Sequence, residues 1–204
     1  MVSPEIALTT ADRLTLRRFR KTLPKRLRAS FDQRFNAVME AERPFTGDPV
    51  TKGHVVVGAC ALSLYRVWRA NGLNMDEAKA RARSPMIALW RRTTRVMMWV
   101  MTAMSKDPFE AVRRYSQDRT ATAFGPSFEI GFEETLEGFV SEVTMCGYRS
   151  FLMRHGAEEL LDLFCEWDRT WIDALPRAVR FHRPPTQAQG GATCRFEFRR
   201  NEEP

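Results

Sequence analysis

SFEIGFE (Ser127–Glu133), followed closely by GFVSEVTM (Gly138–Met145), is the stretch that decides the fold. Phe128, Ile130 and Phe132 fall on every second residue with polar partners between them, which is the period of a strand with one buried face. GFVSEVTM is a second strand, and Glu134–Glu137 makes the hairpin turn. Farther on, AVRFHR (Ala178–Arg183) and TCRFEFR (Thr193–Arg199) alternate again around a loop holding Pro184, Pro185 and the Gly190-Gly191 pair. Between the two pairs of strands, residues 147–155 and 157–174 read as helices broken at Gly156. This order predicts one antiparallel sheet of about four strands with helices over one face. Phe128, Ile130, Phe132, Val179, Phe181, Phe196 and Phe198 are its expected buried phase.

Upstream the period changes to that of helices. Leu14, Leu16, Phe19 and Leu23 form an apolar face that ends near Pro24. Phe31, Phe35, Val38 and Met39 continue at helical spacing until Pro44. Residues 45–53 (FTGDPVTKG) carry loop chemistry, and a helix is expected from His54 to Ala70, closed by Asn71-Gly72. Asn74 caps a short helix through Ala82. Pro85 is then expected to open a long helix to about Met104, and Pro108 another to about Gln117. The apolar run Val96–Met101 is too short for a membrane span, which needs about 20 residues, so it reads as a buried helix. The fold class is therefore α+β, a helical N-terminal half followed by a small antiparallel sheet packed against helices. A single domain over 1–204 is expected, with a basic helical extension over 1–50, a helical part over 54–117 and an α+β part over 125–199.

The chain has 204 residues, 44% hydrophobic and 28% charged, which excludes collagen-like and disordered classes. Its net charge of +7 is localised. Eight basic residues between Arg13 and Arg28 face only Glu5 and Asp12, so the first 30 residues hold nearly all of the excess. Such a helix can touch phosphates or anionic lipid, but the solvated face of an amphipathic helix is the commoner arrangement. Glu-rich strands also argue against a nucleic-acid platform on the sheet. The start of the chain lacks a secretory pattern, and four widely spaced cysteines suit free thiols in a reducing cytoplasm.

Few residues can carry chemistry. Cys146 stands where a strand ends and a helix begins, a place that favours a thiolate; a small buried hydrophobe is the alternative. Cys165 and Asp168, three apart in FCEWD, share a helix face, and an exposed acid is the alternative for Asp168. Cys194 alternates with Phe196 and Phe198, so it lies on their face. His54, His155 and His182 fall at helix ends or on the outer sheet face, which leaves little for a His-based triad. The three thiols and Asp168 lack the spacing of a zinc site, and neither a phosphate loop nor a dinucleotide turn is present.

In order, Cys146-Gly-Tyr148, Phe151, Gly156, Phe164-Cys165-Glu166, Asp168, Phe181, Arg183, Thr186, Gly190 and Cys194-Arg-Phe196 resemble the L-2-amino-thiazoline-4-carboxylic acid hydrolase family. The segment Ala61–Ala80 is similar as well, so the likeness spans roughly 60–198. The resemblance implies a small cytoplasmic hydrolase that opens a cyclic isothiourea to a carbamoyl-cysteine. Cys146, Cys165 and Asp168 are then expected to be catalytic, with Arg183, Tyr148, Thr186 and Cys194 at the substrate. Arg183 suits a carboxylate because its guanidinium presents a fork. No metal and no cofactor are implied, and the partner is a small molecule rather than nucleic acid or membrane, with homo-oligomerisation left open. A related enzyme acting on another thio- or amidine substrate, or a non-catalytic ligand-binding module, are the competing functions.

Overall fold

In this computed structural model, which describes residues 7–201, Thr9 caps the first helix, α1 (Thr10–Lys21). Its hydroxyl accepts from Asp12 N–H while Asp12 accepts from Thr9 N–H, a reciprocal cap. α1 buries Leu16 and Phe19 and leaves Arg13, Arg17, Arg18 and Lys21 exposed. α2 (Arg28–Ala41) turns Phe31, Phe35, Val38 and Met39 inward, as their spacing requires. The chain divides into two compact units, one built from the residues up to Leu89 and Tyr148–Leu163, the other from Trp90–Gly147 and Phe164 onward.

In the helical unit, α3 (Pro49–Ala70) is the central element and is buried along most of its length. It starts five residues before the expected His54. Asp48 accepts from Val50 N–H at 3.0 Å and Thr51 N–H at 2.8 Å, and Pro49 occupies the first helical position, where its missing N–H costs nothing. Gly58 is required inside it, because a Cβ there would lie 2.9 Å from the Phe151 ring on α6 (Gly147–Arg154). Glu42, 1% exposed, accepts from Arg154 Nε at 2.9 Å and Nη2 at 2.5 Å and meets His155 Nε2 at 3.1 Å. A buried carboxylate needs such partners, since burying it alone costs several kcal/mol, on the order of its desolvation penalty.

α4 (Met75–Ala103) departs from expectation twice. Pro85 lies inside it instead of opening a new helix, because burial of Ala82, Pro85 and Met86 outweighs the roughly 3 kcal/mol penalty of a mid-helix proline. The run Val96–Met101 is also not a buried helix. Met98 is buried and Met101 half-buried, whereas Val96, Met97, Trp99 and Val100 are exposed. Only the stripe facing the sheet is covered, and apolar composition alone does not reveal that phase. Among the described residues no helix is long and apolar enough to cross a membrane.

In the second unit, α5 (Pro108–Thr122) precedes the hairpin of β1 (Glu129–Thr135) and β2 (Gly138–Met145). The turn is shorter than expected, because Thr135 and Gly138 still pair. Gly138 is demanded by close approach, since a Cβ would lie 1.9 Å from the Phe198 carbonyl. The expected helix over 157–174 is three pieces: a 3-10 turn at Glu158–Leu160, α7 (Leu161–Trp167) and α8 (Arg169–Ile172). β3 (Val179–His182) and β4 (Cys194–Arg200) complete an antiparallel sheet in the order β1-β2-β4-β3. The chain is α+β.

The register puts Phe139, Phe198 and Phe181 side by side across β2, β4 and β3. Phe139 and Phe198 stack at 4.5 Å, and Trp171 of α8 lies on Phe198 at 5.5 Å. Met98, Phe109 and Val112 of α4 and α5 cover the same face. The predicted phase holds: Val179, Phe196 and Phe198 are buried, with Ile130, Phe132, Phe181 and (just before β1) Phe128 half-buried. The opposite face carries charge, with Arg195 bonded to Glu197 at 2.9 Å and Arg199 to Glu137 at 3.0 Å. Phe198→Ala is expected to destabilise the protein by about 3–5 kcal/mol, as loss of a buried aromatic does. Leu136→Ala, in the fully exposed turn, is expected to stay within about 0.5 kcal/mol. Denaturant unfolding of both variants checks this, and equal losses would contradict the packing described.

Candidate functional site

Arg183 follows the last residue of β3, and by alternation its side chain returns to the core side of the sheet. Its Nη1 donates to the Cys165 carbonyl at 2.9 Å and its Nη2 to Asp168 Oδ2 at 3.0 Å. The guanidinium also lies over the Phe196 ring, 4.4 Å from its centre, a cation–π contact worth about 0.5–2 kcal/mol. Strand and helix are thereby joined at one cation.

Asp168 sits at the break between α7 and α8, and its carbonyl accepts from Trp171 N–H at 3.2 Å. Trp171, seated on Phe198, thus fixes where the carboxylate stands. Burial pushes the Asp168 carboxyl above its ordinary value, while Arg183 and Arg119 pull it back. With 30% of its side chain exposed and the guanidinium in contact, the pair keeps it available as a hydrogen-bond acceptor.

Cys194 opens β4 opposite Val143 and is buried. Its sulfur accepts the Gln187 N–H at 3.3 Å and interacts with the neighbouring Cys165 thiol. That thiol contact, the Gln187 N–H and the charge of Arg183 lower the Cys194 thiol from its ordinary value, against burial and Asp168. The Cys165 thiol goes the other way, raised by its bond to Cys194 and by burial, although Thr186 opposes the shift.

The Gln187 N–H is aimed by the loop between β3 and β4. Thr186, 3% exposed, caps a 3-10 turn over Gln187–Gln189, and its N–H donates to Gln189 Oε1 at 3.0 Å. Gly190 follows at φ +86, and a Cβ on Gly191 would lie 2.2 Å from the Pro185 carbonyl. Both glycines are needed for the turn to close. Gln187 Nε2 donates to the Thr144 carbonyl at 3.2 Å and the Ala192 carbonyl at 3.1 Å. Two polar atoms of this cluster, Arg183 Nε and Gln187 Oε1, are buried without a hydrogen-bond partner in the protein.

Cys165, Asp168, Arg183, Thr186 and Cys194 therefore converge. Cys146 is half-buried just beyond β2, two residues past the Thr144 carbonyl that Gln187 holds. Tyr148 belongs to the helical unit, where its hydroxyl meets His54 Nδ1 at 2.7 Å. Sequence reasoning missed Gln187, Arg119 and the Phe196 ring as parts of the cluster. A Thr-x-x-Gln capping pattern at 186–189 marks the turn that presents Gln187. No local signal ties Arg119 to Asp168, some fifty residues away. Among the described residues no three His, Cys, Asp or Glu side chains are placed to hold a metal ion.

Two thiols, a carboxylate and a guanidinium thus come together at one end of the sheet, a grouping suited to thiol and carboxylate chemistry. The chain belongs to the L-2-amino-thiazoline-4-carboxylic acid hydrolase family, whose profile matches residues 54–198. No curated protein and no solved structure matches it.

Removing Arg183 would leave Asp168 without its cation, so Arg183→Ala is expected to cost about 1–3 kcal/mol. Combining it with Asp168→Asn should cost less than the sum of the two single losses, because the groups share one interaction. Chemical denaturation of the four proteins gives the coupling, and strict additivity would show that the pair is not energetically real.

Proposed function

We propose that the protein is a hydrolase that opens a small cyclic isothiourea bearing a carboxylate, of the L-2-amino-thiazoline-4-carboxylate type, to a carbamoyl-cysteine. Family membership supports the hydrolytic class. The observation that carries the rest is the Arg183 fork, which holds Asp168 beside the Cys165–Cys194 pair. Opening such a ring requires a nucleophile at the carbon between sulfur and nitrogen, an anion against the amidinium, and recognition of the carboxylate. A thiol supplies the first. Asp168 supplies the second through a charge-assisted pair and then takes a proton from the attacking water. Arg183, whose Nε–H has no partner within the protein, answers the substrate carboxylate, and the carbonyl oxygen of the Gln187 side chain accepts from the amidine. Four thiols suit a reducing cytoplasm, where such a product would keep its own thiol.

The test is turnover of L-2-amino-thiazoline-4-carboxylate, followed by release of the product thiol. Asp168→Asn is expected to lower kcat/KM by at least about 100-fold with unfolding nearly unchanged, the usual scale for loss of a general base. Near-full activity in that variant, or no turnover by the wild-type protein, would overturn the assignment. Cys146→Ala decides the place of the third thiol: a comparable loss brings it into the site, and full turnover leaves the chemistry to Cys165 and Cys194.

A further inference from the structure

We propose that Cys194 is the nucleophile of this site and that Cys165 is its positioning residue, presenting a thiol hydrogen bond to the Cys194 sulfur. The proposal rests on the hydrolase function above and assigns roles within it. Cys194 accepts the Gln187 N–H at 3.3 Å and opens the strand face on which Phe196, two residues on, carries the Arg183 guanidinium; the neighbouring Cys165 thiol and the charge of Arg183 both favour its ionised form. A thiolate is the reactive form of cysteine, and donors and cations are what stabilise it. Cys165 has the complementary environment, its ionised form opposed by the Cys194 sulfur, by burial and by the negative Asp168. Cys60, fully buried in α3, has its thiol pushed up by burial and cannot serve.

The chemistry balances without a further reactant. The Cys194 thiolate adds to the ring carbon of the protonated isothiourea. The bond from that carbon to the ring sulfur breaks, its electron pair leaves with sulfur, and the sulfur takes a proton from solvent. The group now on Cys194 is an S-linked isothiouronium cation. Water adds to the same carbon as Asp168 accepts its proton, and the carbon–Cys194 bond breaks to return the thiolate. The released urea loses its extra proton to solvent. Cys165 forms no covalent bond in this sequence; it acts through Cys194, as does the backbone of Gln187.

The thiolate can be observed without any substrate, by pH titration of thiolate ultraviolet absorbance in the full-length protein. The wild-type protein is expected to show one thiol ionising at least about one pH unit below the ordinary value near 8.5. Cys194→Ser should abolish that step. Cys165→Ala should keep it but move it upward, and Cys165→Ser, which restores a donor, should return it part of the way. A low step that survives Cys194→Ser, or that disappears in both Cys165 variants, would overturn the assignment. A second arm incubates Asp168→Asn with L-2-amino-thiazoline-4-carboxylate and maps any covalent adduct by mass. An adduct on Cys194 supports the proposal and one on Cys165 or Cys146 overturns it. If the titration gives the expected pattern while the wild-type protein fails to turn over this compound, the thiol assignment stands and the substrate reading fails.

Discussion

The stacking of Phe198 on Phe139 and Trp171 is the contact from which the second unit takes its shape. Phe198 lies on a central strand, so its ring is reached from both neighbouring strands and from the helix above. Trp171 on that ring places α8, and with it the carbonyl and carboxylate of Asp168. Two residues back along the same strand face, Phe196 carries the Arg183 guanidinium. Two further back is Cys194. A period of two residues thus sets core, cation and thiol on one line, and the site is the polar end of a row whose other end is hydrophobic core. Packing and chemistry share one register, and a one-residue slip of β4 would remove all three groups together.

Electrostatics then divides labour among groups of similar type. Two thiols in contact cannot both be thiolates, because the second charge would meet the first at close range. The asymmetry around them decides which ionises. Cys194 meets a backbone N–H and has its ionised form favoured by Arg183, whereas the ionised form of Cys165, on the helix that ends just before Asp168, is opposed by burial and by that carboxylate. Arg183 meanwhile binds Asp168 directly. One cation therefore restrains the carboxylate that would otherwise oppose a thiolate, which allows a carboxylate and a sulfur to sit close together.

Much of this was legible in the sequence because strand alternation has a sharp period. The phase of Phe196, Phe198, Val179 and Phe181, and the placement of Cys194 with them, follow from spacing alone. The i, i+3 relation of Cys165 and Asp168 also pointed to a shared helix face, although a break falls at Asp168 itself. Helices were less transparent. The loop chemistry of residues 45–53 concealed a helix that begins at Pro49, because Gly53 and Pro49 suit a first turn as well as a loop. Met98 and Val96 are chemically alike, and only the direction of the sheet decides which one is covered. The contact of Arg119 with the field at Asp168 depends on the path of α5 over the sheet, which no local pattern encodes.

The loop TQAQGG (Thr186–Gly191) shows how a donor to the Cys194 sulfur can be set by the path of the backbone alone. Its contribution to Cys194 is a main-chain N–H, a donor that every residue except proline possesses. Side-chain identity at Gln187 therefore says nothing about that bond. What the sequence must specify is the path of the backbone. Thr186 does so by capping the turn, Gly190 by its positive φ, and Gly191 by leaving room for the Pro185 carbonyl. The Gly191 N–H then bonds the Thr186 carbonyl at 2.9 Å and closes the loop on itself. Chemistry at the sulfur is thus written in residues that never touch it, and a glycine pair after a capping threonine is the trace that it leaves in the sequence.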